Sequence, residues 1–290
     1  MTTEAERVQV FQTESERLQQ YLAALPADAW TKPSACALWE VRDVVAHLAT
    51  LPNTYTDRIT HALRGDTAPP QGLPDPNIFK THSPEERRQY AMARTQRPGG
   101  PLTLRERFGN NLLSMFGQAW DQFHHCIVTL NAQDWHKPCY HSFGIIPVHS
   151  LVNAGVFELA IHSWDIRSAL EPSAHLSPDA LAAILNFFSE CPHWFFIPDA
   201  RLPTPLRYRF AFTGALSSQW DIVVEGDQAH MAPAADATPA NATFSCERET
   251  FALMMCGRIG FDTAMGDKRV IPTGDMAVVQ AFKKWFQGVP

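Results

Sequence analysis

The sequence predicts two domains, an all-α four-helix bundle over residues 1–170 and a small α+β domain over 171–290. Three observations predict it. Apolar residues recur at helical spacing through long segments before Leu170, whereas beyond it short runs have the texture of strands. A string L-x-A-x-x-W-x-K-P occurs twice, at Leu25, Ala27, Trp30, Lys32, Pro33 and at Leu130, Ala132, Trp135, Lys137, Pro138. Each copy closes one helical hairpin and leads into a further helix, and two related helix pairs packed antiparallel make a four-helix bundle. A length of 290 residues is enough for two separate cores.

The elements follow in order. Val8, Phe11, Leu18 and Leu22, separated by charges, mark an amphipathic helix over 4–24 that stops before Pro26. After a loop containing Pro33 and Ser34, a second helix runs from about Val41 through His47 towards Leu63, with Asp43 in its first turn. Residues 64–101 are rich in Pro, Gly and charge, with a short helix expected at 84–94. The segment exceeds the few residues of an ordinary bundle connection and reads as a lid or wall over a site, or as a plain surface excursion. One long helix is expected over 104–130, its stripe of Phe108, Leu112, Met115, Phe116, Trp120, Phe123 and Ile127 facing the bundle core. The fourth helix covers about 147–170. In the second domain a helix at 177–190 precedes strands at 206–213, 220–225 and 242–246. A helix at 247–256, a short strand at 269–272 and a terminal amphipathic helix at 275–286 complete it.

Composition excludes several classes of function. The net charge of -6 and the lack of an extended basic face argue against nucleic-acid binding. No run approaches the eighteen or more apolar residues of a membrane span, and the N-terminus lacks a signal peptide's apolar core, so a cytoplasmic protein without membrane partners is expected. Six cysteines, Cys36, Cys126, Cys139, Cys191, Cys246 and Cys256, form no C-x-x-C pair and read as reduced, mostly buried thiols.

The chemistry-bearing residues are His47 and the pair Glu158 and His162 in F-E-L-A-I-H-S-W-D. Four residues apart on a helix, Glu158 and His162 project from one face, as two ligands of one metal must. His47, on the helix that follows the other repeat copy, completes a His2Glu set that leaves a coordination position open. Glu158 sits among Val156, Phe157, Leu159, Ala160 and Ile161, where an unpartnered carboxylate is costly. A metal relieves that cost, and so does a buried Glu–His hydrogen-bond pair. His124, His125, His136, His141 and His149 lack this spacing and rank at best as residues behind the ligands or in a substrate pocket. Asp165 is placed to hold the far ring nitrogen of His162 or to pair with Arg167 or Arg42 at the surface. Asp43 reads as a helix-terminal charge or a support behind the ligands, and Trp30, Trp39 and Trp164 as packing.

Three stretches carry a family resemblance: W-T-K-P-S-A-C-A-L-W-E-V-R-D-V-V-A-H ending at His47, V-F-E-L-A-I-H-S-W-D ending at Asp165, and a C-terminal set. That set is A-T-F-S-C from Ala242, L-M-M-C-G-R ending at Arg258, and G-D-M-A-V-V-Q-A-F-K-K-W-F ending at Phe286. Together they resemble the mycothiol-dependent maleylpyruvate isomerase family, over nearly the whole chain. The resemblance implies a DinB-like four-helix bundle joined to a domain similar to sterol carrier protein 2. It also implies His47, Glu158 and His162 as ligands of a divalent metal, expected to be Zn2+, and a C-terminal-domain arginine, best matched by Arg258 with Arg207 or Arg209 as alternatives. Departures are Ala37 and Leu38 where Pro and Gly usually precede the tryptophan, and the long 64–101 insert.

The reaction so implied uses a low-molecular-weight thiol, mycothiol or an equivalent, activated at the metal. Addition of the thiolate to a conjugated double bond, rotation and elimination give cis–trans isomerisation of a maleylpyruvate-like keto acid, with Arg258 on a substrate carboxylate. Simple thiol transfer to an electrophile needs the same activation, so isomerase and S-transferase both fit. The expected partners are the thiol and an electrophilic substrate, with the chain a monomer or homodimer. Two other readings are a non-catalytic small-ligand or lipid binder and a metal-dependent hydrolase, the latter lacking an evident general base such as that of H-E-x-x-H.

Overall fold

The first helix, α1 (Glu4–Ala24), begins where the sequence supplies a cap. The Thr3 hydroxyl accepts from the Glu6 amide, and the Glu6 carboxylate accepts from the Thr3 amide. A computed structural model describes residues 3–71, 73, 75, 85, 86, 89, 93, 100–142, 144–171, 173–197, 205–215, 217–235 and 238–286. Most of the expected helix at 84–94 and most of the 64–101 lid or wall lie outside them. The chain divides into two compact units, and the division falls after Ile184. No helix among the described residues is long and apolar enough to cross a membrane.

The first unit continues with α2 (Val41–Leu63), α3 (Pro101–Phe108), α4 (Leu112–Val128), α5 (Val148–Leu170) and the start of α6 (Pro178–Glu190). The single helix expected over 104–130 is therefore two, separated by a 3-10 turn at Gly109–Asn111. Gly109 adopts φ 48° and ψ -126°, which glycine alone takes without penalty, and two asparagines follow it. Helices α4 and α5 each pack against both α1 and α2, closing the four-helix ring. Its centre is aromatic: Phe11 lies 5.5 Å from Trp120 and 5.2 Å from Phe123, and Tyr55 lies 5.8 Å from Phe123, ring centre to ring centre. Of the expected stripe, Leu112, Phe116, Trp120, Phe123 and Ile127 are buried, and Phe108 and Met115 are half-buried.

The two copies of the repeated string fold alike. Each contains a 3-10 turn, at Ala27–Thr31 and at Asp134–His136, and in each the lysine carbonyl accepts from the first residue of the next helix. Val41 N donates to Lys32 O and Val148 N to Lys137 O, both at 3.0 Å. Each proline then opens a β-type pairing, Pro33 with Glu40 and Pro138 with Pro147. In the second copy the pairing extends into a hairpin, β1 (Pro138–His141) and β2 (Gly144–Pro147), where no strands were expected from the sequence. The end of α2 lies at the start of α5, since Lys137 Nζ donates to the Leu63 carbonyl at 3.2 Å.

The second unit is built on a five-stranded sheet in the order β5–β4–β3–β6–β7. Its strands are β3 (Leu206–Phe212), β4 (Ser218–Glu225), β5 (Gln228–Pro233), β6 (Ala242–Cys246) and β7 (Val270–Gly274). Only the β3–β6 pairing is parallel. Helices α7 (Arg248–Met255), α8 (Phe261–Gly266) and α9 (Met276–Trp285) complete it. Strand β3 alternates so that Leu206, Tyr208, Phe210 and Phe212 are buried. Phe282 of α9 packs on this face, 5.1 Å from Tyr208 and 5.5 Å from Phe210. Strand β5 and helix α8 were not expected from the sequence.

Candidate metal centre

Asp43 fixes the start of α2. Its fully buried carboxylate accepts from the Glu40 amide at 2.9 Å and from Arg105 Nη1 at 3.0 and 2.9 Å, one oxygen each. Of its two sequence readings, the helix-terminal one holds. One turn on, the same face carries His47. On α5, Glu158 and His162 share a face four residues apart, as their spacing requires.

The structure brings these three side chains together. His47 Nε2 and His162 Nε2 both lie 3.2 Å from the same oxygen, Oε2 of Glu158. The rings are 4.9 Å apart at 78°, and the three ligand atoms all lie within 4.8 Å of one another. Ligand atoms about 2.1 Å from a tetrahedral ion stand about 3.4 Å apart, so the spacing and the N,N,O donor set both suit a divalent metal such as zinc. All three side chains are largely shielded, with exposures of 20%, 17% and 11% for His47, Glu158 and His162.

The electrostatics of the site oppose burial. Burial raises the Glu158 carboxyl, but hydrogen bonds and charge from His162 and His47 outweigh it and hold it far below the usual carboxylate range. Burial likewise disfavours a charged His162, yet the neighbouring Cys36, Asp165 and Glu158 hold the imidazole well above its ordinary value.

The far side of His162 is also occupied. Asp165, fully buried, has Oδ2 2.8 Å from His162 Nδ1, which fixes Nε2 as the nitrogen facing Glu158. The surface alternative for Asp165 does not hold: Arg167 approaches Glu171 at 3.9 Å and Arg42 approaches Glu40 at 2.6 Å. Cys36 donates to the same Asp165 oxygen at 2.9 Å, with its sulfur 3.6 Å from His162 Nδ1. Sequence reasoning passed over Cys36, since nothing in its spacing links it to a residue 126 positions away. Trp39 packs against both imidazoles, 5.2 Å from His47 and 6.1 Å from His162. Beside it Leu38, where the resemblance expects glycine, holds the left-handed φ of 73° with its side chain 80% exposed, at a cost of about 1–3 kcal/mol.

The remaining candidates lie elsewhere. His124 stacks on Phe11, and His136 packs edge-on against His149. Neither they nor His125 and His141 join a group of possible metal ligands among the described residues. All six cysteines are free thiols, four of them buried. In the second unit, Arg207 and Arg209 are bound to Asp221 at 2.8 to 3.0 Å. Arg258 follows Gly257 at the end of α7, where Arg258 N donates to Leu253 O and Gly257 N to Met254 O in a Schellman motif. Gly257 supplies the φ of 70° that the motif requires, so C-G-R is a helix stop that fixes the arginine backbone. The Arg258 guanidinium donates to the Cys256 carbonyl at 2.9 Å.

Comparison with known proteins agrees with this architecture. Residues 11–167 match the model of the mycothiol maleylpyruvate isomerase N-terminal domain, and residues 206–287 match the SCP-2 sterol transfer family. Two solved structures, of the mycothiol-dependent maleylpyruvate isomerase and of a point mutant of it, each superpose with a TM-score of 0.57 at 12% identity. Each match covers 94% of this chain and 93% of the other. At that identity the likeness is one of fold. No curated protein sequence matches the chain. With the N-terminal model spanning more than half of its length, the chain belongs to the mycothiol maleylpyruvate isomerase family and carries an SCP-2-type domain behind its DinB-like helical domain.

Proposed function

We propose that the protein is a metal-dependent enzyme that activates a low-molecular-weight thiol, mycothiol or an equivalent. The activated thiol serves cis–trans isomerisation of a maleylpyruvate-like unsaturated keto acid, or transfer to an electrophile. The observation that carries this reading is the convergence of His47 Nε2 and His162 Nε2 on one oxygen of Glu158 at 3.2 Å. Family membership and the fold shared with the mycothiol-dependent maleylpyruvate isomerase support it.

In this reading His47, Glu158 and His162 hold a divalent ion, zinc in our assignment, which supplies positive charge that lowers the pKa of a thiol in the open position. Glu158 contributes one compensating negative charge, so the centre as a whole stays cationic. Asp165 holds the His162 ring in one tautomer, and Trp39 shields the ring faces from water. We assign Arg258 to a carboxylate of the substrate, for which its planar fork of donors is suited. Isomerisation and transfer make the same demand on these residues and differ in whether the thiol is released from carbon.

The test is metal content per chain, by elemental analysis, of the wild type and Glu158→Ala purified without added metal. About one zinc in the wild type and little in the variant is the expected result. Full occupancy in a folded Glu158→Ala protein would sink the ligand assignment.

A further inference from the structure

The loop between the first repeat string and α2 does more than connect them. Residues 34–39 form a closed turn, in which Ser34 N and Oγ both donate to the Trp39 carbonyl at 2.9 Å and Trp39 N donates to the Cys36 carbonyl at 3.1 Å. This turn hydrogen-bonds to α5 at Asp165. Ala35 N donates to the Asp165 carbonyl at 2.9 Å, and the Cys36 thiol donates to Asp165 Oδ2 at 2.9 Å. The same Oδ2 is the atom 2.8 Å from His162 Nδ1.

The position of the sulfur excludes two other roles. His162 presents Nε2 to Glu158 and Nδ1 to Asp165, so Cys36, at 3.6 Å from Nδ1, lies at the ring edge turned away from the proposed metal. A ring nitrogen that carries a proton towards Asp165 has no lone pair for a second ion. The 2.8 Å separation of Asp165 Oδ2 from His162 Nδ1 is also that of a hydrogen bond, shorter than the spacing of about 3.4 Å between ligands of one tetrahedral ion. Cys36 is therefore neither a ligand of that centre nor a thiol aimed into it.

We propose that Cys36 is a positioning residue: by donating to Asp165 it locks the carboxylate that orients His162, and so tunes metal affinity from outside the ligand set. This rests on the metal-centre reading above. A fully buried carboxylate is held in place by its donors, and with the thiol gone Oδ2 keeps its contact with His162 Nδ1 but loses the one that ties it to the 34–39 turn, which loosens the carboxylate and the imidazole it orients. Because the turn belongs to the first helical hairpin and Asp165 to the second, the contact makes the docking of the two halves part of the ligand geometry.

The experiment is zinc affinity by competition with a chromophoric chelator for wild type, Cys36→Ser and Cys36→Ala, with thermal unfolding of the metal-free proteins alongside. Serine keeps a donor, so Cys36→Ser should bind within about threefold of wild type, while Cys36→Ala weakens by about tenfold, the lower end for residues that support a ligand. Equal or tighter binding by Cys36→Ala overturns the proposal. So does an equal loss in both variants, which would make the sulfur itself a ligand. A wild type that takes up no zinc removes the metal reading and this inference with it, an outcome distinct from zinc bound equally well by all three proteins.

Discussion

The Asp43–Arg105 ion pair, one turn before His47 on α2, offers the sharpest test of how the fold holds the candidate site. Asp43→Ala removes a carboxylate that closes the first turn of α2 and binds Arg105 through both oxygens. The lost capping bond is worth about 1 kcal/mol, and breaking a buried pair by removing one partner costs about 3–5 kcal/mol. Arg105 is 24% exposed, and Glu40 lies 3.7 Å from its Nη1, so its stranded charge is partly relieved. The lower end applies, and the sum is about 3–4 kcal/mol. The assay is a double-mutant cycle with Arg105→Ala, read from guanidinium unfolding by far-UV circular dichroism, which weights the helical first unit. Two compact units need not unfold in one step, so the first transition is fitted by itself. The single variants should be non-additive by about 2 kcal/mol; additivity within about 0.5 kcal/mol would refute the argument that this pair ties α3 to α2. Since His47 follows Asp43 by one turn, zinc affinity should also fall in Asp43→Ala.

Two further outcomes follow from the site and the sheet. Free zinc at about a hundred times its dissociation constant stabilises the binding unit by about 2.7 kcal/mol. That raises its melting temperature by about 5–11 °C for a domain of this size, a shift that chelation reverses and Glu158→Ala lacks. A chelator-insensitive melting curve in the wild type counts against the metal. In the second unit, burial opposes the charge on Asp221, but Arg209 and Arg207 outweigh it and hold the carboxyl below the usual range. A carboxyl depressed by folding contributes stability that is full above its unfolded value of about 4 and is lost as pH falls through the folded value. The urea midpoints of wild type and Asp221→Asn should therefore differ at pH 7 and converge towards pH 3; a gap independent of pH refutes the pairing.

The site was legible where its geometry is local. Glu158 and His162 declare themselves by four-residue spacing, and the duplicated string joins them to His47 because both copies build the same turn before the next helix. What escaped depends on conformation rather than pattern. Phe108 and Leu112 are four apart, so apolar periodicity runs unbroken across Gly109 although the backbone does not. The β1–β2 hairpin has two strands of only four residues, opened and closed by proline, with too few positions for alternation to show. Strand β5 follows a two-residue Gly226–Asp227 turn, a hairpin signal, but its own Gln-Ala-His-Met-Ala-Pro has little strand character. Cys36 and Asp165 meet only because the 34–39 turn folds back on α5, which no sequence period encodes.

The duplication explains why His47, Glu158 and His162 converge, and its asymmetry explains why the equivalent positions do not form a second such set. Aligning Val41 with Val148, the residues that bond equivalently to Lys32 and Lys137, sets His47 opposite Ala154, and Glu158 and His162 opposite Leu51 and Tyr55. The two helices have 23 residues each, and the start of α5 lies against the end of α2. A symmetric ligand set would therefore have made a second centre towards the other end. There the chain places Ala154 and Tyr55, both buried, and Leu51. The site side chains contact one another and Trp39, whereas the Phe11, Trp120, Phe123 and Tyr55 rings contact one another, with the buried Arg58 over Tyr55 at 5.9 Å. That separation is the physical reason to expect a folded bundle in Glu158→Ala: the substitution removes a ligand from a centre the aromatic core does not depend on, so loss of metal and loss of fold are separable observations.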